Sequence, residues 1–438
     1  MSFSRNTFTN IFGEISSEFN VYTIEDIASD EKRSIISGPF GSNISSKYFT
    51  EHGVPVIRGN NLTEDNTKFI DGGFVFVSEE KAKELNTYAD VDDLVFTAAG
   101  TIGQVGIIPK NSKFDRYIIS NKQLRVTLDL NKVNQHYAYY WFSSKLINKY
   151  IKQLNTGSTI PLINLSILKG LPIPLPSKDL QDKIANIIIN IDKKIETNER
   201  INKNLEEQLL RIFDSWFLKF ELSNEFSDSK LGLIPKGWKI DYLGSKKSCS
   251  IIKSGIDEFD NSKIYIATAD VDNSIITSNN TLITMDDKPS RANMQPISNS
   301  IWFAKMIDSK KLIMVDEYCN DLLNNYIFST GFCGLKCVDK YFYYLWTFLL
   351  TDVFDVMKNN FCTGTTMQAI NNKDTKLIEF VLPDDKTITQ FNSIAKPMFK
   401  KIYYNNLEIK KLQRLRDTLL PKLMSGEIDV SEVNCDLE

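Results

Sequence analysis

Arg58-Gly-Asn60-Asn61 is the stretch of this sequence whose residue types most plainly suit recognition chemistry. A guanidinium can fork onto O6 and N7 of guanine, and a carboxamide can pair with N6 and N7 of adenine. Other short loops, rich in Gly, let backbone approach phosphate or base edges closely. Ser42, Thr97, Thr101, Gln104, Lys122 and Gln123 lie in or beside such loops. Lys253, Ser254, Thr268, Asp270, Lys305, Thr363, Thr365 and Thr366 are their counterparts in the second half of the chain. The same residue types also populate ordinary surface turns, so the loops alone leave both readings open.

Catalytic parts are harder to find. Methyl transfer to adenine calls for an Asn/Asp-Pro-Pro-aromatic loop that accepts from the exocyclic amine, and the sequence has no Pro-Pro pair. Gly100-Thr-Ile-Gly103 is the nearest thing to a glycine turn for S-adenosylmethionine, and two glycines are a weak signal. There is no Walker A loop. Pro383-Asp384 followed by Glu408-Ile-Lys410 has a nuclease-like flavour, because carboxylates and a Lys can hold Mg²⁺ and position water. Asp384 has the better account as a helix N-cap, and Glu408 falls beside an apolar helical seam. The only two His are His52 and His136, the latter at a helix start, and no triad is visible. The six Cys all lie in the second half; Cys333 and Cys337 fit no common zinc spacing, so the cysteines read as reduced, partly buried residues and a metal is not expected.

The elements that must position these loops come in two copies. Asn155-Thr-Gly-Ser-Thr-Ile-Pro-Leu-Ile-Asn164 resembles Cys362-Thr-Gly-Thr-Thr-Met-Gln-Ala-Ile-Asn371, an offset of 207 residues that also matches Pro176 to Pro383. Upstream, Tyr139-Tyr-Trp141 resembles Tyr344-Leu-Trp346 at an offset of 205. Each copy then reaches an N-capping residue, Ser177 or Asp384, and a long helical pattern. The first seam reads Ile184, Ile188, Ile191, Ile195, Asn198, Asn202, Leu205, Leu209 and Ile212, in alternating steps of four and three. The second reads Phe391, Ala395, Met398, Ile402, Asn405, Ile409, Leu412, Arg416 and Leu419, with one cation near its end. Two such helices in one chain should pair as an antiparallel coiled coil, with Asn198 and Asn405 as equivalent polar seam positions that fix register. Pro397 should kink the second helix or weaken its first turns. A seam of this length is roughly 43 Å at 1.5 Å per residue, the span of about 13 base pairs. It suits a rod that holds two domains about one DNA turn apart.

Before each helix lie short apolar runs punctuated by Gly, Asn and Asp: strands near 54–57, 74–77, 93–96, 104–108 and 124–128, then a helix over 134–153. The second copy offers strands near 263–267, 300–303, 311–315 and 326–328, then a helix over 340–357. Tyr139, Tyr140, Trp141, Tyr343, Tyr344 and Trp346 sit at helical spacing among apolar residues and read as helix-face core. The fold class is therefore α+β: two globular domains, 1–176 and 236–383, and two long helices, 177–220 and 384–424. A polar linker over 221–235 and an acidic tail over 425–438 complete the chain.

The 438 residues are 42% hydrophobic and 24% charged, which excludes wholesale disorder. No apolar run is long enough to span a bilayer, and the first 20 residues do not read as a signal peptide, so a cytoplasmic location is expected. The net charge of −3 argues mildly against phosphate binding. That total hides segregation: 396–422 carries eight Lys/Arg against two acids, and five acids with no base follow.

Together these features resemble the DNA-specificity subunit of type I restriction–modification systems. The resemblance covers essentially the whole chain. Its carriers are Ser37-Gly-Pro-Phe-Gly-Ser42, Gly100-Thr-Ile-Gly103 and Gly157-Ser-Thr-Ile-Pro161 in the first copy. In the second they are Leu231-Gly-Leu-Ile-Pro-Lys-Gly-Trp238 and Leu419-Leu-Pro-Lys-Leu-Met-Ser-Gly-Glu-Ile428, the last pairing with Ile212-Phe-Asp-Ser-Trp-Phe217 at the first helix end. The first domain lacks a Pro-x-Gly-Trp opening, where Val21-Tyr-Thr-Ile-Glu-Asp-Ile27 is the candidate replacement. The resemblance implies a noncatalytic reader of double-stranded DNA. Each domain would be a target-recognition domain for half of a split, asymmetric site, and the helices would be the ruler between them. Two adenine methyltransferase subunits and then translocase–nuclease subunits would dock on it and carry the S-adenosylmethionine, Mg²⁺ and ATP chemistry. Gly38, Phe40 and Ser158 join the loop residues above as the expected DNA-contact set. The competing readings are a self-sufficient fused methyltransferase or nuclease, and a coiled-coil adaptor with no DNA role.

Overall fold

The computed structural model describes residues 4–63, 68–365 and 367–433. Thr366 and Cys435 lie outside the described residues. The chain divides into two compact units: residues 1–197 with 408–438, and residues 198–407. Each unit thus contains one α+β domain and a portion of both long helices.

The first unit holds a four-stranded antiparallel sheet in the order Ile35–Ser37, Gln123–Val126, Leu94–Thr97, Val105–Ile107. Beside it is a five-stranded sheet whose centre pairs Val54–Ile57 in parallel with Tyr117–Ile119. The second unit repeats the plan. Its antiparallel sheet runs Cys249–Ile251, Phe332–Cys337, Ser300–Ala304, Leu312–Val315. Its mixed sheet again pairs two central strands in parallel, Lys263–Ile266 with Tyr326–Ser329. Val54–Ile57, Leu94–Thr97, Ser300–Ala304 and Tyr326–Ser329 are continuous runs of buried residues, as strands covered on both faces must be.

A short antiparallel strand pair closes each domain: Asn20–Thr23 with Pro172–Leu175, and Lys239–Tyr242 with Glu379–Leu382. Val21-Tyr-Thr therefore occupies the place that the residues after Trp238 take in the second copy. The strands expected from sequence are present to within a residue or two.

The helices correct several expectations. The single helix expected over 134–153 is two, Gln135–Ser143 and Lys145–Gln153, because Ser144 is extended and caps the second by accepting from Ile147 N. The helix expected over 340–357 is likewise Phe342–Leu350 and Asp352–Asn360, with Thr351 capping through Phe354 N. Ser144 and Thr351 lie 207 residues apart. At the same offset the Tyr137 hydroxyl donates to Pro174 O (2.7 Å) and the Tyr344 hydroxyl to Val381 O (2.5 Å). Tyr344 thus corresponds to Tyr137 rather than Tyr139, and the 205-residue alignment of the aromatic run is a two-residue slip between these tyrosines. All six aromatics named above are buried.

The long helices are Lys178–Phe213, ending in a π-turn over Asp214–Leu218, and Asp385–Ser425. Asp384 caps the second, its Oδ1 accepting from Thr387 N at 2.7 Å. The helix continues through Pro397 without a break, against the expectation that this residue would disturb its first turns; Pro397 sits well past them, on the exposed side.

Every seam residue is buried or half-buried. In the first unit Asp192 meets Arg416 (3.0 Å) and Lys194 meets Glu408 (3.7 Å), so the helices run antiparallel. In the second unit Phe213 packs on Phe391, in the same sense. There Asn405 Nδ2 donates to Asn202 Oδ1 (2.7 Å) and Asn202 Nδ2 to Asn406 Oδ1 (2.8 Å). Asn198 and Asn405 are both buried in the seam, and Asn405 bonds to Asn202, a half-buried seam position of the facing helix.

Two surface segments also differ from the sequence reading. Phe226–Ser229 and Gly232–Pro235 form a hairpin within the stretch taken as a polar linker. In the stretch taken as a tail, Val430 and Ile428 pack into the core of the first unit, alongside Phe8, Phe19, Leu420, Leu423 and Met424.

Candidate nucleic-acid interface

In the first unit the expected contact residues fall on five segments that backbone hydrogen bonds tie together. The Ser37–Ser42 loop begins with Gly38 N donating to Gln123 O (2.9 Å). Gly38 is obligatory, since a Cβ there would lie 1.8 Å from Ser120 O. Ala98 N donates to Lys122 O (2.7 Å), Gly100 N to Pro161 O (2.9 Å) and Ile163 N to Ala98 O (2.9 Å). The Gly59–Asn61 3₁₀ turn, at the end of Val54–Ile57, completes the cluster: a Cβ on Gly59 would stand 3.7 Å from Gln104 Oε1 and 4.0 Å from Gln123 Nε2.

Exposure sorts these residues into two kinds. Phe40 (85% exposed), Ser42, Arg58, Asn60, Thr101, Lys122 and Ser158 face solvent. Asn61, Thr97, Gln104 and Gln123 lie beneath. Asn61 is fully buried; its Oδ1 accepts from Arg58 N (3.0 Å) and its Nδ2 donates to Ile70 O (3.0 Å) and Gly72 O (2.9 Å). Gln104 Oε1 accepts from the Thr97 hydroxyl (2.9 Å) while its Nε2 donates to Leu62 O (3.0 Å). Gln123 Oε1 accepts from the Ser120 hydroxyl, and its Nε2 is buried with no partner. These four side chains hold loops in place.

The second unit builds the same cluster from different residues. Lys253 and Ser254 are exposed in the loop after Cys249–Ile251, where Gly255 N donates to Asn293 O (2.9 Å). Thr268–Asp270 is again a 3₁₀ turn after the central strand, and Asp270 Oδ2 accepts from Ala267 N (2.8 Å), the role of Asn61. Lys305 donates from its backbone to Gly331 O (3.0 Å) and from Nζ to Thr330 O (3.1 Å), and its carbonyl accepts from Ile370 N (2.9 Å). Thr363 and Thr365 are exposed, and Thr363 and Ala369 exchange backbone bonds.

Sequence reasoning passed over three neighbours. Lys311 Nζ donates to Thr268 O (2.8 Å). Asn121 is exposed, with its Nδ2 3.0 Å from where a Gly41 Cβ would stand. Arg291 is exposed and its carbonyl accepts from Thr330 N (2.9 Å). Asn121 adjoins Lys122 and was within reach of the same argument; Lys311 sits at a strand start, where nothing in the sequence marks it.

The site offers hydrogen-bonding and cationic groups on loops tied together by backbone hydrogen bonds. Among the described residues no group of three His, Cys, Asp or Glu could hold a metal. Burial pushes the thiols of Cys249 to about 11 and of Cys319 and Cys333 to about 12, which leaves them protonated and unreactive. Asp384 is occupied as a cap and Glu408 faces Lys194, so the nuclease-like coincidence is two unrelated structural roles.

Residues 16–207 match the family model described as the type I restriction modification DNA specificity domain. The MjaIX type I restriction enzyme specificity subunit of Methanocaldococcus jannaschii is 28% identical over 438 residues, with 96% of each chain aligned. Over nearly its whole length the chain is thus similar to specificity subunits of type I restriction enzymes. The HindI specificity subunit of Haemophilus influenzae is 22% identical, covering 83% of this chain and 94% of that one. The fold agrees with the crystal structure of the type I S subunit from M. genitalium: TM-score 0.53, 17% identity, 93% of this chain and 96% of that one covered.

Proposed function

We propose that this chain is the noncatalytic, sequence-specific double-stranded DNA-binding subunit of a type I restriction–modification complex. Each unit presents one loop cluster to half of a split, asymmetric site. The observation that carries this reading is the repeated frame with unlike exposed side chains: one scaffold, two different sets of hydrogen-bonding groups. Adenine methyltransferase subunits, two of them, and restriction subunits assemble on the chain. They bring S-adenosylmethionine, Mg²⁺ and ATP, and this subunit holds none of these. No described helix is long and apolar enough to cross a membrane, and the reading places the work in the cytoplasm, where its DNA is.

The test is direct. The purified chain, incubated with duplex DNA and S-adenosylmethionine, should transfer no methyl group and cut nothing. With its methyltransferase partner it should methylate adenines in a two-part motif. Methyl transfer by the chain alone would overturn the reading in favour of a self-sufficient enzyme. A partnered complex whose methylation shows no sequence preference would leave only the adaptor.

A further inference from the structure

The duplication lets one half of the chain act as a control for the other. If the two units read different half-sites, a feature identical in both cannot tell the halves apart. A feature with the same backbone frame and different exposed side chains can. The loop Asn155–Pro161 comes nearest to the first kind, since Thr156, Gly157 and Thr159 recur as Thr363, Gly364 and Thr366.

The 3₁₀ turn after the central strand is of the second kind. In both units a side-chain oxygen three residues on accepts the backbone N–H that opens the turn, Asn61 for Arg58 (3.0 Å) and Asp270 for Ala267 (2.8 Å). Both turns are also tied from below. Gln104 Nε2 holds Leu62 O and Asn61 Nδ2 holds Ile70 O in one; Lys311 Nζ holds Thr268 O and Thr277 N holds Asp270 O in the other. On this shared frame Arg58, Gly59 and Asn60 stand where Ala267, Thr268 and Ala269 stand, with Arg58, Asn60 and Ala269 exposed. The Ser37–Ser42 loop lacks that property, because the second unit has no counterpart of its Gly41–Ile44 3₁₀ turn among the described residues.

We propose that this turn sets which bases each unit reads. The inference rests on the function proposed above. Arg58 takes a guanine through O6 and N7, and Asn60 takes an adenine through N6 and N7, in one half-site. Thr268 and Ala269 place small apolar groups against a thymine methyl in the other. Asn61, Gln104, Asp270 and Lys311 are positioning residues for the turn.

The experiment uses the full chain with its methyltransferase partner, expressed in cells without other adenine methylation, and reads methylated adenines by single-molecule sequencing. Arg58→Ala should relax one guanine position in one half-site by tenfold or more, since a bidentate base contact discriminates by about that factor. The other half-site and the spacer should stay unchanged. Replacing 58–60 by Ala-Thr-Ala should shift the same half-site toward thymine. Asn60→Ala, at an exposed side chain, is the fallback should the replacement not fold. A motif unaltered by Arg58→Ala and Asn60→Ala overturns the assignment, as does a uniform loss of methylation at all sites. A wild-type complex with no split motif would instead overturn the function on which the inference rests.

Discussion

Arg416 occupies a position in the second helix where the heptad pattern calls for an apolar residue, and it is 9% exposed. Its Nη1 lies 3.0 Å from Asp192 of the first helix, itself 5% exposed. Asp192 also accepts from the Tyr140 hydroxyl at 2.6 Å and lies 3.7 Å from Lys68, so the carboxylate joins both helices to the domain of the first unit. Removing one member of a buried ion pair costs about 3–5 kcal/mol, because a charge is left desolvated and unpaired. In Arg416→Met the residual Tyr140 and Lys68 contacts hold the cost near the lower end, about 3 kcal/mol. Asp192→Asn keeps a partner for the tyrosine, and Arg416 retains Asp417 at 3.4 Å, so about 1–2 kcal/mol is expected. In the double variant no charge is stranded, and its cost should fall below the sum of the singles by about 2 kcal/mol. With an m-value of about 3 kcal/mol/M in urea, Arg416→Met moves the midpoint by about 1 M. Hydrogen exchange at Leu94–Thr97 and Gln123–Val126, both in the first unit, separates its transition from that of the second. A loss below about 0.5 kcal/mol for Arg416→Met, or singles that add to within about 0.5 kcal/mol, would refute the view that this seam cation is held by a buried counter-charge.

Two further perturbations test the frame beneath the loops. Burial lifts the Asp93 carboxyl to about 6, despite Arg125 at 3.6 Å and the Thr127 hydroxyl at 2.5 Å. The folded state therefore holds this proton more tightly than the unfolded chain. The associated stability is complete at acid pH and is lost as pH rises to about 6. Measured against Asp93→Asn, the wild type should gain about 1–3 kcal/mol between pH 7 and pH 4, and a flat difference would reject it. Gly38→Ala drives a methyl into the Ser120 carbonyl, with backbone on both sides. It should lower stability by about 1–3 kcal/mol and weaken DNA binding by the complex, and a fully active variant with unchanged Tm would show that the loop moves freely.

The sequence exposed what is periodic and hid what depends on a single turn. The seams were readable because burial on one helix face repeats every three or four residues over about eight turns. The break at Ser144 was not, because Lys145–Gln153 continues the apolar rhythm and only the hydroxyl cap interrupts it. The tyrosine run, self-similar over four positions, allowed a two-residue slip that only the Tyr137 and Tyr344 hydroxyl contacts correct. At the site the fold brings the expected loops together, but residue type cannot separate a side chain that reaches outward from one that pins its own backbone. Asn60 and Asn61 are adjacent and identical, yet one is exposed and the other fully enclosed. The partner of the seam cation Arg416 was not legible, because Asp192 lies one position outside the apolar repeat.

The second unit is one unbroken run of chain, 198–407, whereas the first is assembled from 1–197 and 408–438. A ribosome adding about 5–20 residues per second therefore finishes the second unit before the first can close. Leu420, Leu423, Met424 and Val430 fill the same core as Phe8 and Phe19, and Ser16 N bonds to Ser425 O. Through all of that synthesis the earliest-made domain waits, with part of its apolar interior uncovered. A nonsense codon after 407 would thus strike the domain encoded first and spare the one encoded last, so damage at one end of the gene would be felt as lost structure at the other.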